Sequence, residues 1–385
     1  MRQAVVVEAV RTPVGRAHPE KGIYRDVRAD DLSADTISAL LHRANIPASL
    51  IEDVHWGCVK QQGEQGFNIG RMAALIAGLP IEAGACTTNR LCGSSLQAIH
   101  QAAMSIAANC EDVQIAGGIE HMHHIPMEAG FDASPRLNYR HSPATMNMGL
   151  TTENLALRYK IDRRAQDEFA LRSHQRAAEA TDSGHFAREI APVWGRDEAG
   201  KKILVKADQG IRRDTSLEAL MALRPAFMPE GGTVTAGNSS QVSVGAAALL
   251  IMSEERCREL GLTPLVKVRA MAVAGVDPSV MGIGPVPATH KALERAKLTL
   301  ADIDLIELNE AFAAQSLAVI KHLKANPEKI NVHGGAIALG HPLGASGARL
   351  ATTLIHAMRE RKARLGLATM CIGAGQGIAT IFEAV

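Results

Sequence analysis

Residues 39–53, ALLHRANIPASLIED, and residues 292–307, ALERAKLTLADIDLIE, carry the same features in the same order. Each is a helical pattern, then a turn, then an acidic lead-in to an apolar strand. The offset is about 252 residues, drifting by one. A second pair stands at an offset of 253: Cys92-Gly-Ser-Ser-Leu-Gln-Ala opens one helix and Ala345-Ser-Gly-Ala-Arg-Leu-Ala opens another. The apolar strands Val113–Gly117 and Leu365–Cys371 follow these helices. Helices alternating with apolar strands predict an α/β fold, and matched spacing predicts two related halves.

The two paired helices are unusual. Gly93–Cys110 contains no charged residue, and Leu96, Ile99, Ala103 and Ile106 mark a helical stripe with small residues on the other faces. Its counterpart, Ser346–Met358, carries one charge, Arg349. A helix that is apolar or small all round is buried. Two such helices predict a helical layer held between two sheets, one sheet from each half. Residues 119–240 are richer in Arg, His, Met and Pro and irregular in pattern, which predicts an inserted loop domain with helices such as Arg163–Ala180. Ala246–Met252 then resumes a buried strand, and Ser253 with Glu254-Glu255 marks a helix start. The division is thus 1–118 plus 241–260, 119–240, and 261–385.

The chain has 385 residues, enough for a sizeable core without disulfides or metal. Forty-one Lys+Arg against forty Asp+Glu give a net charge of +1, without the basic excess of a nucleic-acid binder. No apolar run approaches a membrane span, and the N-terminus lacks signal-peptide anatomy, so a cytoplasmic location with no transmembrane segment is expected. The six cysteines form no C-x-x-C pair, which favours separate thiols over disulfides or zinc ligands.

Three positions could carry chemistry. Cys92 precedes a helix, where the macrodipole and free N–H groups favour thiolate; by position alone it reads equally as a nucleophile or a buried thiol. His341, in Gly340-His341-Pro342 before the second buried helix, could take a proton from Cys92 if both helix N-termini face one cleft; alone it is a turn histidine. Cys371 ends a strand and enters Ile372-Gly-Ala-Gly-Gln-Gly377, whose N–H groups can hold an oxyanion. The run is no dinucleotide fingerprint, because Ile378–Phe382 reads as strand rather than helix. Asn309 follows the strand Leu305–Leu308 and reads as a polar cap or as a group that orients water. Glu120-His121-Met-His123-His124 lacks the spacing of a helical zinc site and reads as a polar loop, so no metal centre is assigned.

Together these segments resemble the thiolase family from Val10-Arg11-Thr12-Pro13 to the last strand. The motifs are NRLCGSS around Cys92, NEAFA from Asn309, GGAIALGHPLGASG around His341, and CIGAGQG from Cys371. Trp56-Gly-Cys-Val, Glu64-Gln-Gly-Phe-Asn, Glu120-His-Met and Gly284-Pro-Val-Pro-Ala look more like β-oxidation 3-ketoacyl-CoA thiolases than acetoacetyl-CoA-forming ones. The resemblance implies a five-layered αβαβα fold with a CoA-binding loop domain. It implies CoA-dependent retro-Claisen cleavage of 3-ketoacyl-CoA in fatty acid degradation, with CoA as substrate and no resident cofactor. The alternatives are acetoacetyl-CoA thiolase and, in another class, a non-catalytic acyl-CoA binder.

By the same resemblance Cys92 is the acylated nucleophile, His341 its base and Cys371 the second acid/base. Asn309 holds an oxyanion-hole water, and the Gly373 N–H joins that of Cys92 in a second oxyanion hole. Ser240, Arg212, Met148, Ala311 and Phe312 are implied as substrate or CoA contacts. A homodimer or homotetramer is implied, or an α2β2 assembly with a hydratase–dehydrogenase subunit. Two departures stand out: Val244 where many relatives have Asp, expected to alter hydrogen bonding beside the CoA channel, and Ala345 where close relatives often have Cys, expected to matter little.

Overall fold

A computed structural model describes residues 2–385. The first half runs β1 (Ala4–Arg11), β2 (Gly15–Arg16), α1 (Ala29–Ala44), β3 (Asp53–Gly57), α2 (Ile69–Ile76), β4 (Cys86–Thr88), α3 (Ser94–Ala107) and β5 (Val113–His121). The segment that follows holds α4 (Met148–Tyr159), α5 (Arg163–Asp182), the hairpin β6 (Val193–Arg196) and β7 (Lys202–Val205), and α6 (Leu217–Met221). The chain returns through β8 (Ser243–Ser253) and α7 (Glu254–Glu259). The second half is β9 (Val266–Gly275), α8 (Pro285–Ala296), β10 (Leu305–Leu308), α9 (Ala313–Leu323), α10 (Ala336–Leu339), α11 (Ser346–Arg361), β11 (Leu365–Ile372) and β12 (Gln376–Ala384).

The repeat seen in the sequence is a repeat of strand pairing. In the first half β3 lies parallel to β5, β5 antiparallel to β8, and β8 antiparallel to β1. In the second half β10 lies parallel to β11, β11 antiparallel to β12, and β12 antiparallel to β9. The parallel β3–β4 pair has a single bridge, Ile306 to Ile330, as its counterpart. One detail differs from two separate sheets. β1 and β9 touch edge to edge through Val5–Lys267 and Val6–Val266, so the strands run on in one order. Only two residue pairs make that join, which removes two open edges at little cost in register.

Three apolar clusters set the layers. One packs α1 and α2 on the first set of strands. One packs α8 and α9 on the second. Between them, α3 and α11 contribute Leu96, Ile99, Ile106, Leu350, Leu354 and Ile355 to a core walled by strands of both halves. The result is helix, sheet, helix, sheet, helix. The uncharged stripe of α3 thereby has a cause: Leu96, Ile99 and Ile106 are fully buried, each contributing about 1.5–3 kcal/mol. Ser253 caps α7 as its sequence predicts, accepting from the Arg256 N–H at 3.2 Å. Asp162 caps α5 in the same way. No helix among the described residues is long and apolar enough to cross a membrane.

α3 and α11 cross closely at their N-termini. The Ala348 N–H donates to Ser95 Oγ at 2.9 Å. A β-carbon on Gly347 would sit 2.6 Å from Leu96 Cβ, so only glycine fits the crossing. Both helix starts, and the loops that feed them, therefore meet at one place.

Candidate active site

Cys92 enters that place through a tight turn. Leu91 adopts φ 45°, strained for a branched side chain, while Asn89 Oδ1 accepts its N–H at 2.8 Å. Ser94 Oγ donates to the Leu91 carbonyl and accepts from the Arg90 N–H. The thiol is thus fixed one residue before the α3 N-cap, Gly93. Burial pushes its pKa up to about 11, against the N–H groups of Gly373 and of Cys92 itself, which favour the thiolate. At neutral pH the group is a thiol and needs a base.

Cys371 lies in β11 opposite Gly377 of β12, and the hairpin loop Gly373–Gly375 presents the Gly373 N–H to Cys92. Burial and then the neighbouring Cys92 hold the Cys371 thiol well above its ordinary value. Two thiols and a backbone donor thus share one pocket. Met148 at the start of α4 closes it, its Sδ 3.4 Å from where a β-carbon on Gly373 would sit. Cys371, Ala311 and Met281 form a small apolar cluster with Met148 and Phe312 against it.

His341 stands between Gly340, at φ 110° and ψ 164°, and Pro342. A β-carbon at Gly340 would lie 2.8 Å from Val14 Cγ1, so backbone and space both demand glycine. The imidazole tautomer follows from its partners. Ser346 Oγ donates to the Pro342 carbonyl at 2.8 Å and so accepts from His341 Nδ1 at 2.6 Å. Nε2 then keeps its lone pair and faces Asn309 Nδ2 at 3.3 Å. Burial, then Arg349, lowers the His341 pKa to about 3. The ring is a neutral base with its free nitrogen fixed. Asn309 is itself held through its N–H to the Thr369 carbonyl on β11, two residues before Cys371. Its Oδ1 is buried without a partner among the described residues.

The remaining candidates divide. The backbone of Asn238–Ser240 runs beside Ala311–Ala313, with Ser240 N–H on the Ala311 carbonyl at 3.0 Å and Ala313 N–H on the Asn238 carbonyl at 2.9 Å. Phe312 bridges Ser239 and meets Phe227 edge-on, with ring centroids 6.0 Å apart. Ala311 and Phe312 therefore border the thiol pocket, and Ser240 is joined to them through the Ala311 carbonyl. Arg212 stands apart: its side chain is exposed, and its N–H bonds His174 of α5 at 3.1 Å. A recess of about 560 Å³ on the outer side of α4 contains none of these residues.

Two buried carboxylates carry the scaffold. Glu120 accepts from the N–H groups of Val59, Lys60 and Gly344 at 2.8–3.0 Å and from Gln65. It ties β5 to the turn between His341 and α11. Glu310 accepts from Ser173, Asn331 and the Ile337 N–H, and so fixes the approach to His341. Nothing local in the sequence marks either role or that of Ser346. The pattern Glu120-His121…His124 was the available signal, and its histidines are spent on structure. His124 reaches Glu64 at 2.9 Å and the Arg25 carbonyl at 2.8 Å, and His121 Nε2 donates to the Tyr24 carbonyl at 3.1 Å. Val244 is 1% exposed and packs with Tyr24, Trp56 and Val193. Its side chain faces that core, while the adjacent Ser243 Oγ accepts the His341 N–H at 3.2 Å.

A family model for the thiolase N-terminal domain matches residues 4–255, and one for the C-terminal domain matches residues 262–384. Proteins named 3-ketoacyl-CoA thiolase from Aeromonas salmonicida and Shewanella loihica are 56% and 57% identical, with all of both chains covered. Among solved structures, human mitochondrial 3-ketoacyl-CoA thiolase is 40% identical with a TM-score of 0.92, covering 100% of this chain and 99% of that one. Bacillus anthracis acetyl-CoA acetyltransferase is 38% identical with a TM-score of 0.91 and the same coverage.

Proposed function

The chain belongs to the thiolase family, and we propose that it cleaves 3-ketoacyl-CoA with CoA to give acetyl-CoA and a shortened acyl-CoA. The observation that carries this reading is the pairing of a thiol at a helix start with a second thiol and a backbone donor, while His341, of fixed tautomer, precedes the helix that crosses α3 at its N-terminus. His341 Nε2 takes the Cys92 proton, and the thiolate attacks the ketone carbon. The Cys92 and Gly373 N–H groups stabilise one oxyanion; His341 and Asn309, whose Oδ1 is free to hold a water, serve the other. The C2–C3 bond breaks, and the acetyl-CoA enolate takes its proton from Cys371. The CoA thiol then returns a proton to Cys371 and attacks acyl-Cys92. The Cys92 thiolate leaves and regains its proton from His341. A thiolate both attacks and leaves well, which a serine alkoxide does not.

Coenzyme A enters as substrate, and no resident cofactor is needed. The degradative assignment is supported by the names of the full-length relatives. Ser240, Ala311, Phe312 and Met148 line the acyl and pantetheine path, and Arg212 meets the outer part of CoA. Self-association, with or without a hydratase–dehydrogenase subunit, is supported by large apolar side chains left in solvent, Phe67 at 90% and Ile81 at 75% exposure. The test is the initial rate of CoA-dependent cleavage across 3-ketoacyl-CoAs from short to long chain. Faster turnover at medium and long chain is expected. Activity confined to acetoacetyl-CoA would make it an acetoacetyl-CoA thiolase, and no activity at any length would favour a silent binder.

A further inference from the structure

Two clusters combine a pair of histidines with a glutamate, and they differ in one respect. In Glu64, His121 and His124 every ring nitrogen has a partner, since His121 Nδ1 also accepts the His124 N–H at 3.1 Å. In His185, His333 and Glu360 they do not. The His185 and His333 rings stack with centroids 3.4 Å apart. His185 is 1% exposed and His333 8%. His185 Nδ1, His185 Nε2 and His333 Nε2 are all buried with no hydrogen-bond partner among the described residues. His185 Nδ1 does touch Glu360 Oε2, without the alignment of a hydrogen bond. Buried imidazole nitrogens left unpaired are costly, and a protein retains few of them.

We propose that His185, His333 and Glu360 bind one divalent transition-metal cation of the zinc type. Two imidazoles and one carboxylate are the donor set such ions take, with a fourth position left for water. Bonds of about 2.0–2.1 Å in a tetrahedron put ligand atoms about 3.3 Å apart. His333 Nε2 lies 3.7 Å from Glu360 Oε2 and His185 Nδ1 touches the same oxygen, so the set is completed when the carboxylate draws back from His185 and the stacked rings turn to bring both lone pairs onto one ion. The carboxylate has a free hand, because Arg188 sits on its other oxygen, Oε1, at 3.7 Å. Glu360 is about one-third exposed and borders a surface recess of about 420 Å³, which supplies an entry path. The ligands come from three places: the turn after α5, the loop before α10, and the last turn of α11. A bound cation therefore staples the inserted segment to the loop that leads to His341 and to the helix that follows it.

The test is calorimetric titration of the full chain with zinc chloride, for the wild type and for His185→Asn, His333→Asn and Glu360→Gln. The six free cysteines also take zinc, but every variant keeps them, so the difference between proteins reads this site. The wild type is expected to bind one more equivalent than each variant, and zinc to raise its thermal midpoint by several degrees more than theirs. Magnesium chloride is expected to give no such difference, since nitrogen donors do not suit it. Retained cleavage activity shows that each variant is folded. Glu360→Gln, at the surface, covers the case in which a buried histidine variant fails to fold. Equal zinc stoichiometry and affinity in the wild type and Glu360→Gln overturns the site, and an equal response to magnesium overturns its transition-metal character.

Discussion

In the proposed reaction Cys92 is both nucleophile and leaving group, and burial holds it as a thiol until a base acts. Cys92→Ser is expected to lower kcat by several orders of magnitude while the circular dichroism spectrum and thermal midpoint stay close to wild type. Near-normal turnover would remove Cys92 as nucleophile. Ser346 is a positioning residue: it touches no reacting atom but sets which nitrogen of His341 carries the proton. Ser346→Ala removes a buried hydrogen bond of about 1 kcal/mol, so kcat should fall about fivefold with KM little changed. Loss of both in proportion would point to disturbed binding instead. Cys92, His341, Cys371 and Asn309 could be singled out because helix starts and strand ends leave local marks. Glu120 and Glu310 could not, because their partners lie up to 224 and 137 positions away in the chain; Ser346 has near partners, His341 and Pro342, but its role depends on a turn geometry that residue type alone does not show.

At the scale of elements, the small-residue character of α3 and α11 records how closely they cross. Gly347→Ala would push a methyl against the Leu96 backbone and Cβ, neither of which can swing aside. We expect a loss of about 3 kcal/mol in urea unfolding, or failure to fold. A loss under about 0.5 kcal/mol, the range of ordinary surface substitutions, would mean that the helices can part. The strand Leu305–Leu308 and helix α5 were legible from their own pattern and caps. The β1–β9 join was not, since two edge pairs leave no periodic trace. Nor was the full reach of β8, which runs from Ser243 to Ser253 because Ser243 and Val244 pair with β2. That pairing is long-range and independent of local hydropathy.

At the scale of the whole molecule, burial of neutral histidines links folding to pH. His100 and His341 are fully buried, with pKa values lowered by burial from 6.5 to about 3. Below pH 6.5 the unfolded chain binds protons that the native state refuses. Their contribution is therefore neutral above pH 6.5 and destabilising as pH falls from 6.5 toward 3. Each group costs up to about 1.4 kcal/mol per pH unit in that window. Urea midpoints should fall steadily from pH 6.5 to 4.5, and His100→Asn should reduce the slope. A flat profile in the wild type would contradict the buried neutral state.

The central claim is that an acyl group passes through Cys92. It is tested by mixing the protein with a medium-chain 3-ketoacyl-CoA without free CoA, quenching in acid within milliseconds, and mapping peptides by mass spectrometry. The expected result is one equivalent of acetyl-CoA released and the shortened acyl group on the peptide containing Cys92, removed again when CoA is added before the quench. Acyl label on Cys371 instead, or acetyl-CoA formed with no label on Cys92, would contradict it.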